Sequence, residues 1–147
     1  MKNKKTIGIA SRCLSNQIKR EIDKIAAKKG VEGMTGMHLM IIGYIGRHNE
    51  EDIFQKNLEK RFNMRRSTAT GILQLMTKYK LISRQAVDYD ARLKKIVLTN
   101  KAEIIHASCQ KEIELLETRL SKNLTTEEIQ QYLELTEKIL NNAKCKP

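Results

Sequence analysis

At 147 residues, with 40% hydrophobic side chains and a formal charge of +11, the chain has the size of one ordinary domain that buries its own core. No Ser/Gly/Pro-rich tract marks a linker, and the longest uninterrupted apolar run, Leu39 to Ile42, is far too short for a membrane span. Met1 to Lys5 is basic without an apolar signal core behind it, so a cytoplasmic protein with no membrane contact is expected. Cys13, Cys109 and Cys145 are odd in number and far apart, which predicts free thiols.

The charge is unevenly placed. Residues 1–53 carry ten Lys/Arg against six Asp/Glu, residues 54–101 twelve against three, and residues 102–147 six against eight. A phosphate backbone attracts such a central patch, whereas solubility alone gives no reason to gather cations there. The bland alternative is a lysine-rich surface set by compositional bias.

In chain order, Ile7, Ala10, Leu14, Ile18, Ile22 and Ile25 recur at helical spacing, predicting one long helix over Lys4–Lys29 that stops at Gly30. Thr35 is placed to cap a second helix whose Met37, Leu39, Met40, Ile41, Ile42, Tyr44 and Ile45 make it apolar nearly all round, hence central. Its Met residues read as core filler. Asn49–Asp52 is an acidic turn that would set carboxylates at the positive end of a third helix, Ile53–Phe62. Asn63 and Met64 form a junction, and Ser67 or Thr68 would cap a fourth helix.

On that fourth helix Ala69, Ile72, Leu73 and Met76 share one side, while Ser67, Thr70, Gly71, Gln74 and Lys78 share the other. No carboxylate occurs between Lys60 and Val87. A small, polar, partly cationic outer face matches entry into a major groove. Ser, Thr and Gln hydrogen-bond base edges or phosphates there, and Arg65, Arg66 and Lys78 neutralise backbone charge.

The period then changes. Ser83–Val87 and Leu93–Thr99 are β-like runs separated by the polar turn Asp88–Arg92, predicting a two-stranded ribbon from which Arg84, Arg92, Lys94 and Lys95 project. Asp90 would orient Arg92 toward an adjacent minor groove; the bland reading has Asp90 forming the turn and Arg92 solvated. Asn100 with Glu103 resembles a capping pair that opens a helix carrying Ile105, Cys109, Ile113, Leu116 and Leu120. Thr125 with Glu128 opens a last helix bearing Ile129, Tyr132, Leu133, Thr136, Ile139 and Leu140. The first helix and these two carry more apolar stripe than the small ribbon-bearing unit covers, which argues for a helical dimer interface over a self-contained monomer.

The order Leu58–Phe62, Ser67-Thr68-Ala69-Thr70, Leu81-Ile82-x-Arg84, Asp90-x-Arg92, Val97-Leu98-Thr99 resembles the MarR family of winged-helix transcriptional regulators over nearly the whole chain. The resemblance implies a mainly α fold with a small β-wing (α+β), a winged helix-turn-helix over residues 36–100, and dimerisation helices over 4–30 and 100–143, in one 1–147 unit. It assigns major-groove reading to the helix Arg66–Lys78 and minor-groove entry to the Asp-x-Arg of the wing, so that Ser67, Thr68, Thr70, Gly71, Gln74, Asp90 and Arg92 carry those roles. Three departures stand out: Lys80 and Ala102 where the family often has glycine, and Gly71 where many members carry a larger groove-contacting residue.

The expected function is a sequence-specific, double-stranded DNA-binding regulator: a homodimeric repressor on a palindromic operator, responsive to a small-molecule effector of the kind many relatives bind. Two alternatives stay open. One is redox sensing through Cys13, which lies beside Arg12 where a cation favours thiolate. The other is nonspecific nucleic-acid binding, which the basic composition permits. His38, His48 and His106 are scattered, with no metal-ligand spacing, paired carboxylates or Gly-rich phosphate loop, so neither an enzyme, a metal site nor a cofactor is expected.

Overall fold

The computed structural model describes residues 6–145; Lys4 and Lys5, where the first helix was expected to open, lie outside the described residues. The elements run α1 (Ile7–Ala27), α2 (Gly36–Arg47), α3 (Gln55–Arg61), α4 (Arg66–Lys78), β1 (Ile82–Val87), β2 (Asp90–Leu98), α5 (Asn100–Leu120) and α6 (Thr126–Lys144). They fall into two compact units, one ending at Ile113 and one beginning at Glu114.

In the first unit, α1 starts where the Thr6 hydroxyl accepts the Ile9 N–H and ends at Lys28, with Gly30 at φ +70° reversing the chain. Only the last turns of its apolar stripe are buried, at Ile22, Ile25 and Ala26, whereas Ile7 and Leu14 are exposed. They pack on α2, whose Gly36 lets the helices meet: a Cβ there would lie 2.9 Å from Ile22 Cγ2, and the Gly36 N–H donates to Asp23 Oδ1 at 2.7 Å. As expected, α2 is central, and Leu39, Ile41, Ile42 and Ile45 are buried.

Thr35 is the N-cap of α2, and the cap is closed by a residue the sequence did not single out for it. His38 reaches back so that its Nδ1 accepts the Thr35 N–H at 3.0 Å. His38 is therefore a buried, satisfied side chain. The α5 end of the unit is tied down by Glu112, which pairs with Lys29 at 2.6 Å and Lys28 at 3.2 Å. Lys29 first, then Lys28, holds the Glu112 carboxyl below the usual carboxylate range.

The start of α5 differs from expectation. Thr99, not Asn100, caps α5, its hydroxyl accepting the Ala102 N–H at 3.3 Å. The Asn100–Glu103 spacing imitates the motif one residue late. Ala102 has no exposed surface and sits inside the helix, so glycine is not needed there.

In the second unit, Asn123 at φ +64° ends the turn after α5, and the reciprocal Thr125–Glu128 box opens α6 (Glu128 N–H to Thr125 Oγ1 3.1 Å, Thr125 N–H to Glu128 Oε2 2.8 Å). None of the residues of α6 is buried; Tyr132, Leu133, Leu135, Ile139 and Leu140 are all exposed.

Burial pushes His38 below the ordinary histidine pKa. The unfolded chain thus binds the proton more readily than the folded one. The stability this contributes is full above about pH 6.5 and is lost as the pH falls from there through the depressed folded value. Urea unfolding between pH ~5 and 8 should show this acid loss in the wild type. In His38→Gln, which keeps an acceptor at the third helical position, the loss should shrink.

Candidate nucleic-acid interface

The turn between α3 and α4 is set by backbone chemistry. Asn63 adopts φ +47°, and its N–H and that of Met64 donate to Lys60 O and Glu59 O at 3.4 and 3.0 Å, closing α3 with a left-handed cap. Asparagine tolerates that conformation better than most residues, so the chain reverses in a few residues. α4 ends the same way, with Lys80 at φ +57° and the Lys80 and Leu81 N–H groups donating to Thr77 O and Met76 O. The lysine standing where glycine was expected is held in a conformation that costs an L-residue about 1 kcal/mol.

Three local expectations are corrected here. α3 begins at Gln55, not Ile53, because Ile53 is extended and its carbonyl accepts the Ile96 N–H of β2 at 2.7 Å. Asp52 therefore sits beside the wing, bonded to Lys95 and Tyr89, and does not serve the α3 dipole; Asn57 Oδ1 accepts the Phe54 N–H in its place. The N-cap of α4 is Arg65, without a side-chain cap, so Ser67 and Thr68 lie in its first turn as exposed residues.

The faces of α4 fall as their spacing predicts. Ala69, Leu73 and Met76 are buried and Ile72 is half-buried, while Ser67, Thr68, Gly71, Gln74 and Lys78 are exposed. Thr70 is half-buried because Gln55 of α3 reaches it: Gln55 Nε2 donates to Thr70 Oγ1 at 2.9 Å and to Glu59 Oε1 at 3.1 Å. Gln55 belongs to the interface and was missed. Its spacing to Glu59 marks a helical pair, but its reach to Thr70 exists only once α3 and α4 pack. Gly71 has nothing within 4 Å of the position its Cβ would take and no positive φ, so no internal packing demands a glycine there.

The wing is an antiparallel pair with Ile82 opposite Leu98 and Ala86 opposite Lys94, followed by Val87 opposite Asp90. Residues 91–93 thus have no counterpart on β1, and the tip is the short turn Asp88–Tyr89 rather than the five-residue turn expected. The bulge carries Arg92. Asp90 Oδ1 accepts both the Arg92 N–H at 2.9 Å and Nε at 3.3 Å, while the guanidinium side chain remains 91% exposed.

A groove of about 1350 Å³ opens between α3, α4 and the wing. It brings together Arg66, Thr70, Gln74, Arg84, Arg92 and Lys94, and adds Gln55, Lys56 and Thr77, which the sequence did not single out. Arg65, Ser67, Thr68, Gly71 and Lys78 are exposed on or beside α4 outside the groove lining, and Asp90 acts on it through Arg92. Lys95 departs from the expected arm. Adjacent strand residues point to opposite faces, so Lys95 turns behind the wing and pairs with Asp52 at 3.0 Å. Cys13 is an exposed thiol on α1 and not part of the groove. Among the described residues no helix is long and apolar enough to cross a membrane.

A helix, a left-handed turn, a second helix with a polar outer face and a two-stranded wing define the class: a winged helix-turn-helix protein. Residues 32–93, from just before α2 into β2, match the sequence model of the MarR family. The transcription regulator MarR from Oenococcus oeni PSU-1 superposes with a TM-score of 0.84 at 27% identity, over 92% of this chain and 99% of that one. S. aureus MepR in its DNA complex gives a TM-score of 0.85 at 22% identity, over 97% and 99% of the two chains. The heme sensor protein PefR from Streptococcus agalactiae in complex with heme gives 0.60 at 22%, over 97% and 95%. No curated protein sequence matches. Over residues 32–93 this chain matches the MarR family, and its fold is that of the MarR-type transcription regulators it superposes on.

An exposed glycine inside a helix costs about 0.5–1 kcal/mol relative to alanine, and the space at Gly71 is open. Gly71→Ala should therefore stabilise the protein by about that amount in urea unfolding. A loss of stability would mean that the site is constrained in a way its geometry does not show.

Proposed function

We propose that the protein is a homodimeric, sequence-specific repressor that grips a palindromic operator with two copies of the groove and releases it in response to a small molecule. The observation that carries this reading is the groove, where α4 offers a polar face without carboxylates and a bulge thrusts Arg92 forward from the wing. A B-DNA major groove, about 12 Å wide, admits one helix, and the neighbouring minor groove is where an exposed arginine meets the strongest negative potential. In this reading Ser67, Thr70, Gly71 and Gln74 face bases, with Thr70 oriented by Gln55. Arg65, Arg66, Thr68, Lys78, Arg84 and Lys94 meet phosphates, and Arg92, held by Asp90, enters the minor groove. Lys95 is left out of the contact set because Asp52 neutralises it.

The dimer is supported by exposed apolar side chains: Ile7 and Ile9 on α1, and Tyr132, Leu133 and Leu135 on α6. A two-fold pairing over such faces would present two α4 helices to half-sites about one helical turn apart. The effector is supported by kinship of fold with a protein named as a heme sensor, which makes coupling of a ligand to DNA affinity compatible with this architecture.

The reading is tested with the duplex upstream of the protein's own gene, measured against unrelated duplex and RNA by fluorescence anisotropy. Arg92→Ala should weaken binding by about tenfold and lower the salt slope by about one, with the dimer unchanged in sedimentation. Gly71→Ala should bind more weakly although its fold is firmer. Equal wild-type affinity for all three nucleic acids defeats sequence specificity, and unchanged affinity in Arg92→Ala defeats the minor-groove assignment.

A further inference from the structure

The face of the wing turned away from the groove is fastened at three points to the segment just before α3. Tyr89, at the tip, donates its hydroxyl to Asp52 Oδ2 at 3.0 Å, Lys95, in mid-strand, donates to Asp52 Oδ1 at 3.0 Å, and the Ile96 N–H donates to Ile53 O at 2.7 Å. An isolated two-stranded ribbon is marginal in water, and this one is buried only at Ile82, Val87, Ile96 and Leu98 near its two ends. Of the three polar contacts that fasten the exposed stretch carrying Arg84, Arg92 and Lys94, two converge on the Asp52 carboxylate. The hydrogen bond from Lys95, followed by that from Tyr89, holds the Asp52 carboxyl below the usual carboxylate range, so it is charged at neutral pH.

We propose that Asp52 is a positioning residue for DNA binding: by holding Tyr89 and Lys95 from behind, it sets the angle at which Arg84, Arg92 and Lys94 meet the duplex. The inference rests on the DNA-contact reading of the groove given above. A carboxylate near a polyanion repels it, so electrostatics alone requires that neutralising Asp52 tighten binding. A positioning role requires the opposite, because a wing freed from Asp52 must be ordered at the moment of binding.

The test uses the full-length protein and the same upstream duplex, comparing Asp52→Asn, Lys95→Met and the double variant. Asp52→Asn should weaken binding about fivefold, the range of one exposed charged contact, and Lys95→Met should do the same. The double variant should be no weaker than either single variant, because both cut one link. Amide exchange over residues 89–95 in the protein without DNA should quicken in each, with the melting temperature little changed. Tighter or unchanged binding by Asp52→Asn overturns the proposal, as does an additive double variant. Unchanged amide exchange overturns it whether or not the protein binds DNA, whereas a wild type that shows no preference for DNA sinks the functional reading and leaves the link between Asp52 and the wing to be decided by exchange alone.

Discussion

The outward chemistry of α4 depends on what its inward side buries. Leu73 and Met76 have no exposed surface, nor do Leu58 of α3 or Leu81 after α4, and together they clamp the helix in one rotation. At 100° per residue, a helix fixed by Ala69, Leu73 and Met76 must turn Ser67, Gly71, Gln74 and Lys78 outward. Close packing makes that rotation definite, because a shift of a few tens of degrees would open voids on one side and expose methyl groups on the other. The groove follows from the same contacts: with α4 clamped and the wing beginning directly after it, Arg84 and Lys94 fall opposite Arg66 and Gln74.

The wing separates charge by face. The pleat sends Lys94 toward the groove and Lys95 away from it, so two neighbouring lysines that look equivalent in the chain have different work. Each face also has its own aspartate. Asp90 holds Arg92 through backbone and side chain while leaving the guanidinium in solvent, and Asp52 neutralises Lys95 and anchors Tyr89. The carboxylates in this basic region are thus organisers of cations and of backbone.

Several positions give up local stability. Lys80 and Asn63 hold left-handed conformations at the two helix ends that define the motif, and Gly71 weakens α4 where nothing inside the molecule requires its small size. The strained turns are repaid by paired N–H to carbonyl bonds that stop each helix abruptly and let the next element start within a few residues. Gly71 has no such internal compensation, which is why its role is sought outside the chain.

Much of this was legible in the residues themselves. Spacing at 3.6 and at 2 residues placed six helices and a two-stranded wing, and the apolar side of α4 was read correctly because helix rotation is a local property. Asp90 and Arg92 lie two residues apart, so their contact was also local. What failed was of two kinds. Cap positions slipped by one to three residues, at Arg65 and Thr99, because the backbone decides where a helix starts and a Ser, Thr or Asn near that point does not by itself fix the cap. The contacts of Asp52 with Lys95 and Tyr89, and of Gln55 with Thr70, join residues 15 to 43 positions apart. No periodicity encodes such pairs. The sequence determined which faces are polar and how many elements there are, since these depend on neighbours along the chain; which carboxylate meets which cation was decided by the packing of α3, α4 and the wing.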